Sequence, residues 1–112
     1  MWLATKIGFF SVTISTVDGR AQFRARVQSD LDELRTFLAD HSVELSETLT
    51  IGTADYRYRA FVDKERLPEA LAALAESVDY SNFKGEIGRS PTQRHKLDAY
   101  HEIWDVMHRL QK

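Results

Sequence analysis

The sequence has no cysteine, only two prolines and five glycines among 112 residues, and no long apolar run. Without cysteine the chain has no disulfide framework and no thiolate for catalysis or metal binding, which fits a reducing compartment. The start, residues 1–10, contains one lysine and lacks the apolar stretch of a signal peptide or a membrane span. We therefore expect a cytoplasmic protein that does not enter a membrane.

The chain also lacks an excess of positive charge. Lys and Arg number 15 against 17 Asp and Glu, which gives a formal net charge of -2 at pH 7. This balance excludes a generally basic nucleic-acid binder, so any basic patch has to be local.

What is present is typical of an ordinary folded domain. Apolar residues make up 43% and charged residues 29% of the chain. A chain of this length supports one modest core, and no internal repeat or low-complexity tract marks a linker. We predict a single α+β domain over residues 1–112.

Two stretches alternate between polar and apolar residues so regularly that each predicts a β-strand. Residues 55–63, D-Y-R-Y-R-A-F-V-D, point one set of side chains to one side, namely Tyr56, Tyr58, Ala60 and Val62. The other side receives Arg57, Arg59 and Phe61. Residues 21–27 repeat the design, with Phe23 on one side and Arg24 and Arg26 on the other. Each strand thus presents two arginines away from its best apolar residues.

The remaining pattern predicts the order β-β-α-β-β-α followed by a further helix. Residues 8–16 alternate as a strand, and Asp18-Gly19 predicts a tight hairpin to the strand at 21–27. Residues 1–6 either add a short strand or tuck Trp2 against the core. A helix follows over about 30–40, capped by Ser29 or Asp30. Residues 43–51 then form a looser strand, which pairs with the arginine strand as a second hairpin.

The last third of the chain predicts two more helices. Asp63 caps the first of them, whose buried stripe is Leu67, Leu71, Leu74 and Val78. Residues 79–84 are irregular or extended. A capping box from Ser90 to Gln93 begins a helix over about 91–110. Short connections favour one antiparallel sheet of about four strands, with the first two helices on one face. The C-terminal amphipathic helix either covers part of the opposite face or packs beside it.

Several of these segments resemble a family of small bacterial proteins of unassigned function. The resemblance covers nearly the whole chain and lies in M-W at the start, G-F-F-S, R-A-R, D-Y-R-Y-R, D-Y-S-N-F-K and Y-H-E-I-W-D-V-M. It implies a bacterial, cytosolic origin. It transfers no catalytic role to any residue, because no activity is attached to the family.

The arginine pairs form the first candidate site. If the two strands are close, Arg24, Arg26, Arg57 and Arg59 make a surface suited to phosphate or carboxylate, and Phe9 and Phe61 can stack on bases. The ligand would be an anionic small molecule, a protein or single-stranded nucleic acid. The structural alternative is that these arginines pair with Asp and Glu or lie along apolar surface.

The second candidate site is the pair of Asp-Tyr dipeptides, Asp55-Tyr56 and Asp79-Tyr80, with Asn82 and Lys84 beside the latter. These groups can converge into a polar pocket with a buried Asp as base and Lys84 as electrophile, and a small enzyme would be built around Asp79, Tyr80, Lys84 and Arg57. Each Asp also fits a turn or cap, and each Tyr a core position. No phosphate-binding glycine loop, hydrolase motif or cysteine nucleophile is present, so the sequence favours a non-enzymatic binding module without a cofactor.

The last helix offers a third group and an interface. His101, Asp105 and His108 share its edge, but their spacing is not that of the known zinc helices, and we predict no metal site. Its wide apolar arc, which includes Trp104, Met107 and Leu110, predicts a homodimer. We expect Tyr58 and Trp104 to be buried, and Arg57 and Arg59 to face away from the core.

Overall fold

The computed structural model describes residues 1–112 and separates them into an N-terminal unit, residues 1–78, and a C-terminal unit, residues 79–112. The N-terminal unit contains β1 Trp2–Ala4, β2 Phe9–Ile14, β3 Ala21–Ala25, α1 Gln28–Asp40, β4 Leu49–Thr50, β5 Tyr58–Val62 and α2 Leu67–Glu76. The C-terminal unit contains α3 Phe83–Arg89 and α4 Leu97–His108. The α+β class is confirmed, and a single domain over residues 1–112 stays a prediction.

One antiparallel sheet runs through the N-terminal unit in the order β1-β2-β3-β5-β4. It has five strands rather than about four, because residues 2–4 pair with β2 as an edge strand. Trp2 is 69% exposed and is therefore not tucked into the core. The first hairpin is confirmed by the antiparallel pairing of β2 with β3, and Gly19 has a φ of 75°, the left-handed conformation that glycine adopts without a Cβ clash. The turn is longer than predicted, because Asp18 has no positive φ and the Ser15 N–H donates to the Arg20 carbonyl across residues 16–19.

The core lies on the sheet face that receives Phe10, Val12, Phe23, Ala60 and Val62. These side chains form one cluster with the inner faces of both helices, namely Leu31, Leu34 and Leu38 of α1 and Ala70, Ala73 and Leu74 of α2. The expectation that the first two helices cover one face of the sheet is thus confirmed. Small alanines let α2 approach closely, while Val78, predicted to complete its stripe, is 61% exposed.

The start of α1 differs from its prediction. The helix begins at Gln28 after Val27, whose side chain makes no capping bond, so neither Ser29 nor Asp30 is the cap. Asp30 instead lies inside the first turn, 1% exposed, where its carboxylate accepts a hydrogen bond from the backbone N–H of Phe9 at 3.2 Å. The Asp30 carboxylate, which was expected to cap α1, therefore links α1 to β2.

The predicted strand over residues 43–51 is wrong except at Leu49–Thr50. The ladder to β5 is altered at Ser46, whose N–H donates to the carbonyl of Phe61 while its hydroxyl, not its carbonyl, accepts the Phe61 N–H at 2.8 Å. The Ser46 carbonyl accepts instead from the Arg35 guanidinium at 2.7 Å. The Arg35 side chain of α1 therefore binds the Ser46 carbonyl, which in a regular strand would accept a hydrogen bond from β5.

The arginine strand is shorter than predicted, since β5 begins at Tyr58 and residues 55–57 belong to the preceding turn. Tyr58 was predicted to be buried and is half-buried against the core, whereas Arg57 is exposed, as expected. Tyr56 was expected on the core side with Tyr58, and this is wrong. Alternation applies only within a strand, and the Tyr56 ring lies against the arginines described below.

The C-terminal unit also departs from its prediction. Residues 83–89 form α3, which the sequence reading missed because Gly85 and Gly88 were taken to end an extended segment. Ser90 ends this helix instead of starting the next one, so the capping box does not form, and α4 begins at Leu97 after a short 3-10 turn. Trp104 was predicted to be buried and is 51% exposed.

Candidate anion-binding face

The sheet face opposite the core contains a row of residues that are directly paired across the strands. The row runs Trp2, Ser11, Arg24, Arg59 and Leu49, from β1 through β2, β3 and β5 to β4. A neighbouring row holds Thr13, Gln22 and Phe61. We call these eight residues the arginine face. Strand alternation places them together, because alternate residues of β2, β3 and β5 point into the core.

Arg24 and Arg59 are direct cross-strand partners in the middle of this face. Both are half-buried, and their side-chain hydrogen bonds go to uncharged groups. An Nη of Arg24 donates to the Ser11 hydroxyl at 2.6 Å. The two Nη atoms of Arg59 donate at longer range, to the Gln22 amide oxygen at 3.4 Å and to the Tyr56 carbonyl at 3.3 Å. Neither guanidinium has a carboxylate within ion-pair distance in the N-terminal unit.

Each of these two arginines also has a donor without an acceptor. The Nε atoms of Arg24 and Arg59 are buried and make no hydrogen bond. A buried donor without a partner costs roughly 1–3 kcal/mol, and like charges directly opposite each other on a sheet are destabilising. The centre of the arginine face thus combines two unfavourable terms that a bound anion would relieve.

Tyr56 connects a third arginine to the pair. The centre of the Arg24 guanidinium lies 4.7 Å from the centroid of its ring, and that of Arg26 lies 4.0 Å away. Tyr56 is 4% exposed, and its hydroxyl has no hydrogen-bond partner. Cation–π contacts hold guanidinium groups in place without neutralising them. Only Arg26 has a nearby carboxylate, that of Asp55 at 3.4 Å, in an exposed pair.

A fourth arginine covers the far end of the face. The Arg20 guanidinium lies 4.3 Å above the Phe61 ring and 2.8 Å from the Asp18 carboxylate. The Arg20 backbone N–H and then its side chain lower the pKa of Asp18 below the ordinary value of 3.8. This arginine is therefore neutralised by its own hairpin, in contrast to Arg24 and Arg59.

The structure brings together three of the four arginines that the sequence singled out. Arg24 and Arg59 meet across the strands, and Arg26 joins them through the Tyr56 ring. Arg57 precedes β5, is exposed and makes no side-chain contact with the group. Sequence reasoning missed the parts played by Arg20 and Tyr56. Strand alternation alone could have predicted that Ser11 lies opposite Arg24. No sequence pattern predicts the turn that places Tyr56 beside the arginines.

The second predicted cluster lies in the C-terminal unit, and its members face different neighbours. Asn82 caps α3, its side-chain oxygen accepting the Gly85 N–H at 2.9 Å. Lys84 points toward α4, with Nζ 3.3 Å from His101 Nδ1. The Tyr80 ring lies 6.0 Å from that of Phe83, and Asp79 is exposed. A pocket built from Asp79, Tyr80, Asn82 and Lys84 stays a prediction. The Asn82 side chain already caps α3.

The histidines of the last helix surround its tryptophan. The rings of His101 and His108 stack with Trp104, with centroids 6.4 Å and 4.8 Å apart. The Lys84 ammonium lies 5.1 Å from the centroid of the same indole. No three His, Cys, Asp or Glu side chains in the chain are grouped closely enough to hold a metal ion. No helix has the length and apolar character needed to cross a membrane.

Comparison with protein-family models, with curated proteins and with solved structures finds no significant match to this chain. The resemblance to small bacterial proteins of unassigned function stays a prediction. Any functional proposal therefore depends on the geometry of the chain itself.

Proposed function

We propose that this protein is a non-enzymatic binding module that holds an anionic ligand on its arginine face, between Arg24 and Arg59. The observation that supports this most strongly is the direct cross-strand pairing of two half-buried arginines whose partners are all uncharged. The cysteine-free sequence is consistent with action in the bacterial cytoplasm.

An anion would improve the energetics of this pair in two ways. Its negative charge would turn the repulsion between Arg24 and Arg59 into two attractions, and its oxygen atoms would accept from the Nη groups, which in Arg59 make only long hydrogen bonds of 3.4 and 3.3 Å. Arginine suits this task, because its planar guanidinium binds carboxylate or phosphate oxygens in pairs. Hydrogen bonds to charged groups contribute about 1.5–3 kcal/mol each, so two such contacts account for a useful affinity.

The aromatic residues favour a compact anion over single-stranded nucleic acid. Nucleic-acid bases bind open sheets by stacking on exposed rings. Here the Phe61 ring is covered by Arg20, and Tyr56 is buried beneath Arg24 and Arg26. Trp2 is exposed but stands on the edge strand, in edge-to-face contact with Phe9. We therefore assign the face to a phosphate or carboxylate group, with an oligonucleotide as the competing outcome.

The test measures ligand-induced stabilisation of three proteins: wild type, the double variant Arg24→Gln/Arg59→Gln and the control Arg57→Gln/Arg89→Gln. The control removes the same charge from exposed positions. Phosphate, pyrophosphate and citrate should raise the melting temperature of wild type and control but not of the double variant. Loss of two charge-assisted contacts should weaken binding about a hundredfold, on the order of 3 kcal/mol.

Three outcomes would contradict the proposal. Wild type could show no stabilisation by any of these anions, or the control could lose binding as completely as the double variant. A labelled single-stranded oligonucleotide could also bind more tightly than the small anions, with affinity that falls steeply with salt, which would favour the nucleic-acid alternative. The double variant removes a repulsive pair together with the Arg24 hydrogen bond to Ser11 and its cation–π contact with Tyr56, so circular dichroism checks that it is folded before ligand is added.

A further inference from the structure

The last helix, α4, and the turn at residues 109–110 that follows it have an exposed apolar stripe. Ile103 is 41% exposed, Val106 53%, Met107 57% and Leu110 70%. Their spacing of three and four residues puts them on one side of the helix. Ala99, also exposed, continues the stripe toward the N-terminus of α4. Ala99, Ile103, Val106 and Leu110 thus occupy the alternating four- and three-residue spacing of a coiled-coil seam.

The two flanks of this stripe differ. One flank contains Tyr100 and Trp104 and packs on α3, with the Phe83 and Tyr100 rings 5.0 Å apart and Lys84 over Trp104. Helical spacing puts Glu102 and Arg109 on the other flank, away from α3. Both are exposed, and neither forms an ion pair. Glu102 and Arg109, seven positions apart, are the flank residues nearest the stripe, while Asp98 and Asp105 lie farther round the helix on the same side.

That arrangement of charge is complementary to itself when the helix direction is reversed. We propose that the protein forms a two-fold homodimer in which α4 pairs antiparallel with α4 of a second copy. In this register Ile103 of one copy packs against Val106 of the other, and Ala99 against Leu110. Glu102 then lies opposite Arg109 of the second copy, and the two-fold axis repeats the pair. An isologous contact of this kind closes after two copies.

The antiparallel register follows from the charges and not from the apolar residues alone. In a parallel pair the Glu102 position of one helix would face the Met107 position of the other, so reversing a charge would have little effect. In the antiparallel pair each reversal turns two attractions into two repulsions. The exposed stripe covers roughly a few hundred Å² per copy, the low end of specific interfaces, so the dimer should be weak and concentration-dependent.

The experiment measures self-association of the full chain by sedimentation equilibrium from 5 to 500 micromolar, which is about the range a weak dimer requires. Wild type should show a monomer–dimer equilibrium. Glu102→Arg and Arg109→Glu should each weaken it on the order of tenfold, because two exposed ion pairs become repulsive. The charge-matched control Asp40→Arg, at an exposed position at the end of α1, should leave it unchanged.

Mixing the two reversed variants provides the sharpest outcome. At positions 102 and 109 one variant has two positive residues and the other has two negative residues, so they should form a heterodimer at concentrations where each alone is monomeric. The double variant Glu102→Arg/Arg109→Glu should restore self-association, and Val106→Glu should abolish it.

A monomeric wild type at 500 micromolar, about the upper end of that range, would overturn the proposal. So would a dimer that both reversals leave unchanged, or a mixture that fails to associate. Circular dichroism identifies a variant that has lost its fold. If a single variant is unfolded, self-association of the folded double variant Glu102→Arg/Arg109→Glu tests the charge pairing instead. This dimer is independent of the anion site, since none of these residues belongs to the arginine face.

Discussion

Replacing Gly8 by alanine tests how closely the start of β2 packs against α1. A Cβ at this position would lie 2.7 Å from Asp30 Cγ and 2.8 Å from both Asp30 Cβ and Phe10 Cζ. Asp30 is 1% exposed and Phe10 fully buried, so neither can turn toward solvent. The alanine therefore fits only if buried atoms move by several tenths of an ångström.

The backbone around Gly8 has little freedom to move instead. The Thr5 backbone N–H and hydroxyl both donate to the Gly8 carbonyl, at 3.0 and 2.8 Å, and the Gly8 N–H donates to the Thr5 hydroxyl at 3.1 Å. Overpacking a core costs about 1–3 kcal/mol. Displacing Asp30 from the Phe9 N–H would add about 1 kcal/mol or more. We expect a loss of about 2–4 kcal/mol, which lowers the melting temperature by about 10 °C.

Urea unfolding followed by circular dichroism measures this loss, with Gly52→Ala as the matched control. Gly52 has no heavy atom within 4 Å of its added Cβ and no positive φ, so the control should change stability by less than about 0.5 kcal/mol. Gly8→Ala within about 0.5 kcal/mol of wild type would refute the close packing of residues 8, 10 and 30.

Three further predictions concern turns and caps. Asn82→Ala should lose about 1 kcal/mol by removing the cap of α3, and an equal loss in Ser81→Ala, a neighbouring exposed position, would argue against it. Gly19→Ala should lose about 1 kcal/mol in urea unfolding, because φ is 75° there, and a neutral result would contradict the turn geometry. Asp18 should titrate below 3.8 by carboxyl NMR, since the Arg20 N–H and guanidinium lower its pKa. The ionised Asp18 carboxylate therefore stabilises the hairpin at pH values above its unfolded pKa of about 4, and this stabilisation is lost as the pH falls through the lower folded pKa. Arg20→Ala keeps the backbone N–H but removes the guanidinium, so it should bring the pKa part of the way back toward 3.8, and no change would contradict the role of the guanidinium.

Alternation predicted the sheet well where a strand lies on the core throughout its length. Phe10, Phe23 and Val62 are buried on one face, and Arg24 and Arg59 lie on the other, as the two-residue period requires. The hairpin at Asp18-Gly19 followed from turn chemistry. These features are local, so a single sequence contains the information that determines them.

The features that the sequence did not predict depend on contacts distant in sequence. Arg35 on α1 donates to the Ser46 carbonyl and so shortens β4. The Asp30 carboxylate accepts from the backbone of β2 instead of capping its own helix. Tyr56 lies beside the arginines because it belongs to the turn before β5 and not to the strand. The cluster of Arg24, Arg26 and Tyr56 joins segments about 30 positions apart, and no periodicity in either segment encodes that meeting.

The most direct test of the central claim is an NMR titration that observes the arginine Nε–H groups while phosphate is added. The Nε atoms of Arg24 and Arg59 have no acceptor in the structure, so an anion bound between these side chains should shift both resonances with one saturable curve. Arg57, exposed and without a partner, serves as the internal reference and should move little. Saturable shifts confined to Arg24, Arg59 and their neighbours Ser11 and Tyr56 are the predicted result. Equal, unsaturable shifts at Arg57 and the other exposed arginines would contradict the assignment of an anion site to this face.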